Sequence, residues 1–356
     1  MRIVNGRMGL KDSVKVSIVI PHVGRFSSLR NLLDALNSQS DYIYEVVIVS
    51  SAKNRIDHST VLKSGSRFAG ARQTTSKMRF KTIQFEQLRI VLVKFTIGLY
   101  PGHARNVGIQ IARSSVIGFL DSNTLPSCSW LKTSLEKLHN NHYDVALGST
   151  LYKSSSKVGR IILASTYGFN PLASIPGTLV KCHCLTMVGA FLPNVRAAED
   201  IDFISRLEAF DLAIHRSTYP TTYYNLQSNN PAFYIYKWFR NYSVCAPYVS
   251  LTLQSFALTF MLGFIMVLFG YLWNWNVASW RTDSILYIPN FTKSIIALLV
   301  LMYCFCRGYI APRSKAAFLK GNCNILDIPY ILTFSFCLDL SKALAICNRI
   351  GLFLTR

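Results

Sequence analysis

Three short segments hold side chains whose types and spacing could carry group-transfer chemistry. Asp121-Ser122-Asn123 follows the apolar run Val116-Ile117-Gly118-Phe119-Leu120. A carboxylate at the end of a buried strand stands where open α/β sheets bind ligands. Asp121 can hold a divalent ion that bridges a diphosphate, and Asn123 can add a neutral oxygen ligand; a strand-end Asp also forms turns with no ligand at all. Gly102-His103-Ala104-Arg105-Asn106 opens a segment with helical spacing. Backbone N–H groups at a helix start attract phosphate, and Arg105 would add a charge-assisted contact. The plainer reading is a helix start carrying a surface arginine. Glu199-Asp200-Ile201-Asp202 crowds three carboxylates. Such a cluster supplies a general base for a hydroxyl, or simply an acidic first helical turn offset by the helix dipole. Cys182-His183-Cys184 looks like a fragment of a metal site, but without distant partners it reads as a reduced, strand-borne stretch.

The elements that must position these groups follow from apolar periodicity. Val16-Ser17-Ile18-Val19-Ile20, closed by Pro21, is a short β-branched run expected to be a strand buried on both faces. Ser27 offers an N-cap for a helix over Leu29, Leu32, Leu33 and Leu36, and Val46-Val47-Ile48-Val49 is the next strand. This strand–helix–strand unit opens an α/β domain with a mostly parallel sheet. The basic stretch Ser64 to Lys81 is expected to be a solvated loop, after which Ile90-Val91-Leu92-Val93 resumes the sheet. Ala104, Val107, Gly108 and Ile111 face the core from a helix, and Val116 to Leu120 is a strand. Leu131, Leu135 and Leu138 mark another helix, Val145-Ala146-Leu147 another strand. Phe203, Ile204 and Leu207 share a face of a last helix.

The chain of 356 residues is half hydrophobic, yet carries 38 basic against 17 acidic side chains, a formal net charge of +21. That balance suits an anionic surface, and the apolar C-terminal third favours membrane lipid over nucleic acid. No basic motif interleaved with aromatics supports a nucleic-acid partner. Nine cysteines without paired CxxC motifs favour a reducing environment. MRIVNGRMGLKDSVKV lacks the apolar core of a signal peptide.

Between Arg240 and Arg281 no side chain is charged. Leu251 to Trp273 is long enough to cross a bilayer, with Tyr248, Trp273, Trp275 and Trp280 near its ends. A second stretch, about 287–306, is also expected to span. A third, Ile328 to Leu338 within 327–347, is short and flanked by Asp327 and Asp339, and reads as an interfacial helix or a third span. Arg307, Arg313, Lys315 and Lys320 put the loop after the second span on the cytoplasmic side, so a domain over 1–245 faces the cytoplasm and 246–356 anchors it.

Taken in order, VSIVIPHVGRFSSLRNLLDALNSQ, GHARNVGIQIARSSVIGFLDSN and AAEDIDFISRL resemble the opening, central and acidic blocks of inverting glycosyltransferases of family 2, which have the GT-A fold. The resemblance covers roughly Val14 to Ser243. It implies that Pro21, Arg25, Ser50, Arg105, Asn106, Asp121 and Asn123 contact a nucleotide-sugar donor. Asp121 and Asn123 would hold Mn2+ or Mg2+. Asp200 would be the base that deprotonates the acceptor, and Glu199, Asp202, Trp238 and Arg240 would shape the acceptor side. The implied activity is transfer of one sugar, with inversion, to a lipid-linked or membrane-proximal glycan acceptor in envelope polysaccharide synthesis, with anionic lipids as surroundings. Two positions depart from the family's pattern: Asn123 replaces the second acidic residue of the DxD motif, and Ser50-Ser51 stands where an aspartate usually reads the base, with Asp57 too far along to replace it. They motivate the alternative of a catalytically degenerate GT-A domain that binds nucleotide-sugar or scaffolds. The QxxRW motif of processive members is absent; Tyr236-Lys237-Trp238-Phe239-Arg240 keeps a Trp and an Arg at other spacing.

Overall fold

The computed structural model describes residues 14–24, 26–52, 78–140, 142–224, 230–245, 263, 265–277, 279–319 and 321–354. The expected span Leu251 to Trp273 therefore lies largely outside the described residues, as do Arg25, Asp57, Arg67, Arg72, Lys77, Tyr248 and Lys320. The chain divides into two compact units, one of Met1–Leu151 with Pro171–Tyr223, the other of Tyr152–Asn170 with Tyr224–Arg356.

The strands are β1 (Val16–Val23), β2 (Ile43–Ser51), β3 (Met78–Phe85), β4 (Leu88–Phe95), β5 (Val116–Phe119), β6 (Thr124–Leu125), β7 (Val145–Leu147), β8 (Ser149–Lys153), β9 (Leu172–Ala173), β10 (Leu179–Lys181), β11 (Ile214–Arg216) and β12 (Thr221–Tyr224). The helices of the first unit are α1 (Arg30–Asn37), α2 (Pro101–Ile111) and α3 (Trp130–Asn140); α5 (Cys182–Val188) and α6 (Glu199–Ala209) come after α4 (Lys157–Ser165), which belongs to the second unit.

Eight strands form one sheet in the order β11-β7-β10-β5-β1-β2-β4-β3, and β6-β12-β8-β9 form a smaller one. The centre, β5-β1-β2-β4, is parallel, while β10 and β3 enter antiparallel. The fold is thus mixed α/β around a large sheet. The unbroken apolar runs have a plain cause: successive side chains point to opposite faces, and both faces are covered. Val19, Val47 and Val49 join one core with Phe119, Val107 and Phe203. Ile18, Ile20, Val46 and Ile48 join the other with Leu32, Leu33, Leu36 and Trp130. Helix α2 lies close on the sheet because Gly108 has no side chain: a Cβ there would come 2.3 Å from Val19 Cγ1.

Three local expectations change. Ser27 does not cap α1; a 3-10 turn, Phe26–Leu29, leads into it, and Leu29 at the cap position makes no side-chain cap bond. Arg79 and Lys81 belong to β3 rather than a loop, with exposed side chains on a strand that, among the described residues, pairs with β4 alone. Edge strands tolerate such charges, which discourage pairing with another chain. Cys182-His183-Cys184 starts α5 and is not strand-borne.

The second unit gathers α4, α7 (Pro231–Cys245) and the C-terminal helices. Leu163, Tyr234, Phe334 and Leu338 form a core there, with Tyr152, Tyr167 and Trp238 packed against it. Among the described residues, two helices are long and apolar enough to cross a membrane: Phe291–Ser314, 24 residues with mean hydropathy 1.9, and Ile325–Ile346, 22 residues with mean hydropathy 1.3. Arg307 does not lie in a loop after the first of these. The helix Phe291–Phe305 continues through a π-turn at Cys306–Ile310, and Arg307 is buried within it. Nor does Asp339 end the last segment, since Ile328–Leu354 is one helix of 27 residues. Asp339 sits in its interior because Arg307 Nε approaches its Oδ2 at 2.8 Å and Lys342 Nζ its Oδ1 at 3.2 Å. Asp327 does mark a start, reaching back to the Asn324 backbone in a capping box.

Candidate active site

The parallel register brings the ends of β1, β2 and β5 to one edge of the sheet. Val19 is level with Phe119, and His22 with Ser50, so Pro21, Ser50 and Asp121 emerge on neighbouring strands. Asp121 is fixed by its own turn: its N–H donates to Thr124 Oγ1 at 3.2 Å, and that hydroxyl donates to the Asp121 carbonyl at 2.8 Å.

Arg105 is not a surface side chain. It is 3% exposed, one turn into α2, and its guanidinium forks between two elements. Nη2 donates to Asp121 Oδ1 at 2.9 Å and Nη1 to Glu199 Oε1 at 3.0 Å. The fork's flat geometry suits two carboxylates better than a single ammonium would. Its outer face lies 5.4 Å from the centroid of the Phe191 ring. Phe191 is itself held: Asn106 Nδ2 donates to its carbonyl at 2.8 Å, its N–H donates to Asn106 Oδ1 at 2.9 Å, and its ring stacks 4.0 Å from Phe203 and meets Phe119 edge-on at 5.4 Å. Gly102 permits the close approach of this segment, since a Cβ there would fall 2.2 Å from the Leu192 carbonyl oxygen.

The acidic block begins α6, and its three carboxylates go different ways. Glu199 is buried against Arg105. Asp200 is half-buried, with Oδ1 accepting the N–H of Ile201 at 2.8 Å. Asp202 pairs with Arg206 at 2.7 Å, and Arg206 also donates to the carbonyls of Val188 and Ala190. Ala198, just before the block, has φ 71, a left-handed conformation unusual for a residue with a Cβ. Burial, reinforced by Asp200, pushes the Glu199 carboxyl up to about 7 against the pull of Arg105. Arg105 is raised further above its ordinary range: burial opposes its charge, but Asp121, Glu199 and Asp200 outweigh it. Three carboxylates around one guanidinium leave this edge net negative, and more so once Glu199 ionises. With the oxygen ligands on offer, that suits a hard divalent cation. Asp121 has a side chain 40% exposed beyond its Arg105 contact, and the exposed Asn123 amide lies 3.5 Å from the Tyr223 hydroxyl.

The remaining expected residues lie apart or outside. Trp238 and Arg240 belong to α7 in the second unit, where the Trp238 ring sits between Tyr167 and Tyr242 with centroids at 6.0 and 5.8 Å. Arg25 is outside the described residues. Sequence reasoning missed the Arg105–Glu199 pair and the Phe191 anchor, whose partners stand 94 and 85 positions apart and leave no local pattern. Cys184 and His183 do find a distant partner in Asp144, with His183 Nε2 at 3.4 Å from Cys184 Sγ and 3.5 Å from Asp144 Oδ1. Burial and Asp144 push the Cys184 thiol up to about 11.

Residues 17–172 match the glycosyl transferase family 2 domain. No curated protein matches the chain. Among solved structures, the chain is similar to the mannosyltransferase PcManGT from Pyrobaculum calidifontis in complex with GDP-Man and Mn2+, at 14% identity and TM-score 0.45 over 96% of this chain and 88% of that one. It is also similar to S. aureus TarS 1-349 in complex with UDP-GlcNAc, at 14% identity and TM-score 0.39 over 90% of each chain. The matched stretch holds the four central parallel strands β5, β1, β2 and β4 together with Arg105 and Asp121, and on that match residues 17–172 form a glycosyl transferase family 2 domain.

Proposed function

We propose that the protein transfers a single sugar from a nucleotide-sugar donor to a membrane-associated acceptor, with inversion. The observation that carries this reading is the Arg105 fork. The family match ends at residue 172, short of the acidic block, and the fork ties that block to the strand-end Asp121 inside the matched stretch. A site that joins a diphosphate-side carboxylate to a base-side carboxylate through one cation is arranged for group transfer.

In this reading Pro21, Arg25 and Ser50 line the nucleotide side, and Asp121 with Asn123 supplies oxygen ligands for Mn2+ or Mg2+. Held by these two residues, a divalent cation would supply positive charge to the leaving diphosphate. Arg105 keeps Asp121 aimed and lowers its repulsion from the donor, while Asn106 acts through the Phe191 backbone. Asp200, within electrostatic reach of Arg105 but hydrogen-bonded to the Ile201 N–H and not held in the guanidinium fork, takes the proton of an acceptor hydroxyl as it attacks the anomeric carbon opposite the leaving group. Glu199 and Asp202 are committed to Arg105 and Arg206, so they position the block rather than touch the acceptor. Trp238 and Arg240 remain acceptor-side candidates. The two apolar helices support membrane association, and the charge balance supports a cytoplasmic catalytic domain over 1–245 with 246–356 as anchor.

The test is a panel of labelled nucleotide-sugars, with Mn2+ or Mg2+ and extracted lipids as acceptors. The expected result is lipid-soluble label from one donor, lost in D121N, and reduced by about a hundredfold or more in D200N with donor affinity kept. Donor binding without transfer across the whole panel would favour the degenerate domain that Asn123 and Ser50 suggest. Full turnover by D200N would remove Asp200 as base.

A further inference from the structure

At the edge of the main sheet opposite Asp121, a thiol, an imidazole and a carboxylate meet that sugar transfer does not use. Strand β10 runs antiparallel to both β5 and β7, with Lys181 level with Val116 at the start of β5. Asp144 immediately precedes β7, and Cys182-His183-Cys184 immediately follows β10. Both segments therefore come out where β5 begins, whereas Asp121 stands beyond its end.

His183 Nε2 lies 3.4 Å from Cys184 Sγ and 3.5 Å from Asp144 Oδ1, and the three ligand atoms all lie within 4.8 Å of one another. A ring nitrogen carries at most one N–H, which cannot point straight at two neighbours. One ion among the three atoms engages them all. Zinc bonds are about 2.3 Å to sulfur and about 2.0–2.2 Å to nitrogen and oxygen, so tetrahedral ligands stand about 3.3–3.6 Å apart. That is the spacing of Nε2 from both of its neighbours. Asp144 is also braced as metal ligands are. Its Oδ2 accepts the Ala213 N–H at 3.2 Å while Oδ1 faces the imidazole, and its own N–H donates to the Ala213 carbonyl at 2.8 Å.

The donor set selects the metal. Zinc accepts sulfur, nitrogen and oxygen together, whereas Mg2+ and Mn2+ favour oxygen alone. The thiol is buried, but the His183 side chain is 57% exposed, so an ion reaches the sulfur from solvent past the imidazole. Lys181 Nζ, 3.6 Å from Asp144 Oδ1, is the competing cation, on a flexible stem that can turn to water.

We propose that Asp144, His183 and Cys184 bind a zinc ion, with water as the fourth ligand of a tetrahedron. The Cys184 thiol releases its proton to solvent on binding and coordinates as thiolate. The ion clasps the start of β7 to the β10–α5 junction and, through Ala213, to the entry of β11. Its role is structural, and binding holds whether or not the first unit transfers sugar.

The tag-free full chain, in neutral detergent under reducing conditions, is stripped with a chelator and titrated with Co2+. Zinc is then titrated against a chromophoric chelator. Wild type should show a thiolate-to-cobalt charge-transfer band and the strong visible bands of tetrahedral cobalt, both lost when zinc displaces it. H183A alters an exposed ring, so without zinc it should melt as wild type does, yet bind zinc about a hundredfold more weakly. C184S should lose the charge-transfer band, and D121N should keep it. Should C184S fold poorly, H183A carries the test. K181M should bind zinc about twofold to fivefold tighter, since a cation no longer competes for Oδ1. No charge-transfer band in wild type overturns the proposal. So does a band that persists in C184S or vanishes in D121N, or an H183A that binds zinc as tightly as wild type.

Discussion

Consider R105M, E199Q and the double variant R105M/E199Q. The two arms of the Arg105 fork differ in burial: the Glu199 side chain is 8% exposed and that of Asp121 40%. The exposed arm is screened and contributes about 1 kcal/mol or less. The buried arm is worth more, but only while Glu199 is ionised, because a buried carboxyl that loses its cation takes up a proton instead of staying charged. Glu199 holds its proton up to about 7, against an ordinary 4.5, through burial and the neighbouring Asp200. Between those values the folded chain binds a proton that the unfolded chain has lost. Wild type should therefore lose stability as pH rises through that window, and E199Q should not. Above 7 the pair becomes ionic, and each further pH unit adds up to about 1.4 kcal/mol to its coupling, so about 2 kcal/mol by about pH 8.5. The readout is hydrogen exchange of the β5 and α6 amides in all four proteins, converted to local opening free energies at about pH 6 and 8.5. A coupling energy that stays flat between the two pH values would refute the assignment of Glu199 as a carboxyl whose charge depends on Arg105.

Three further outcomes follow from single contacts. N106D keeps the acceptor for the Phe191 N–H but turns a carboxylate toward the Phe191 carbonyl, and should lower stability by about 1–3 kcal/mol in denaturant titration, with weakened donor binding. G108A drives a methyl to 2.3 Å from Val19 Cγ1 and should cost about 1–3 kcal/mol, with V19A in the same chain restoring part of the loss. At Ala198, A198G relieves a left-handed strain of roughly 1 kcal/mol while loosening the unfolded chain by nearly as much, so its melting point should stay close to wild type. A198V places a β-branched side chain at the same φ and should melt clearly lower, with slower transfer, as α6 shifts.

Much of the first unit was legible because β1, β2 and β4 each contain a run rich in β-branched apolar residues and α1 and α2 each turn one face to the core. Val16 to Ile20 and Val46 to Val49 could only be buried on both sides, and they are, as are Ile90, Leu92 and Val93, with Val91 partly buried. Boundaries set by weaker signals moved. Ser27 reads as a cap, yet a 3-10 turn takes its place, and Arg79 and Lys81 read as loop because an edge strand tolerates charge. In the second unit, Arg307 and Asp339 read as segment ends because an isolated charge is expelled from an apolar helix. Placed 32 positions apart, they meet and cancel most of that cost.

The sequence by itself determined the α/β class, the apolar C-terminal helices, the excess of positive charge and the three segments able to do chemistry, since periodicity and composition act locally. Tertiary structure alone decided which of those segments meet. It turned Arg105 from a surface side chain into the buried fork between Asp121 and Glu199, and brought Arg307 to Asp339 from 32 positions away. The physical reason is range: an ion pair across 94 residues depends on the path of the chain between them, which no local pattern records.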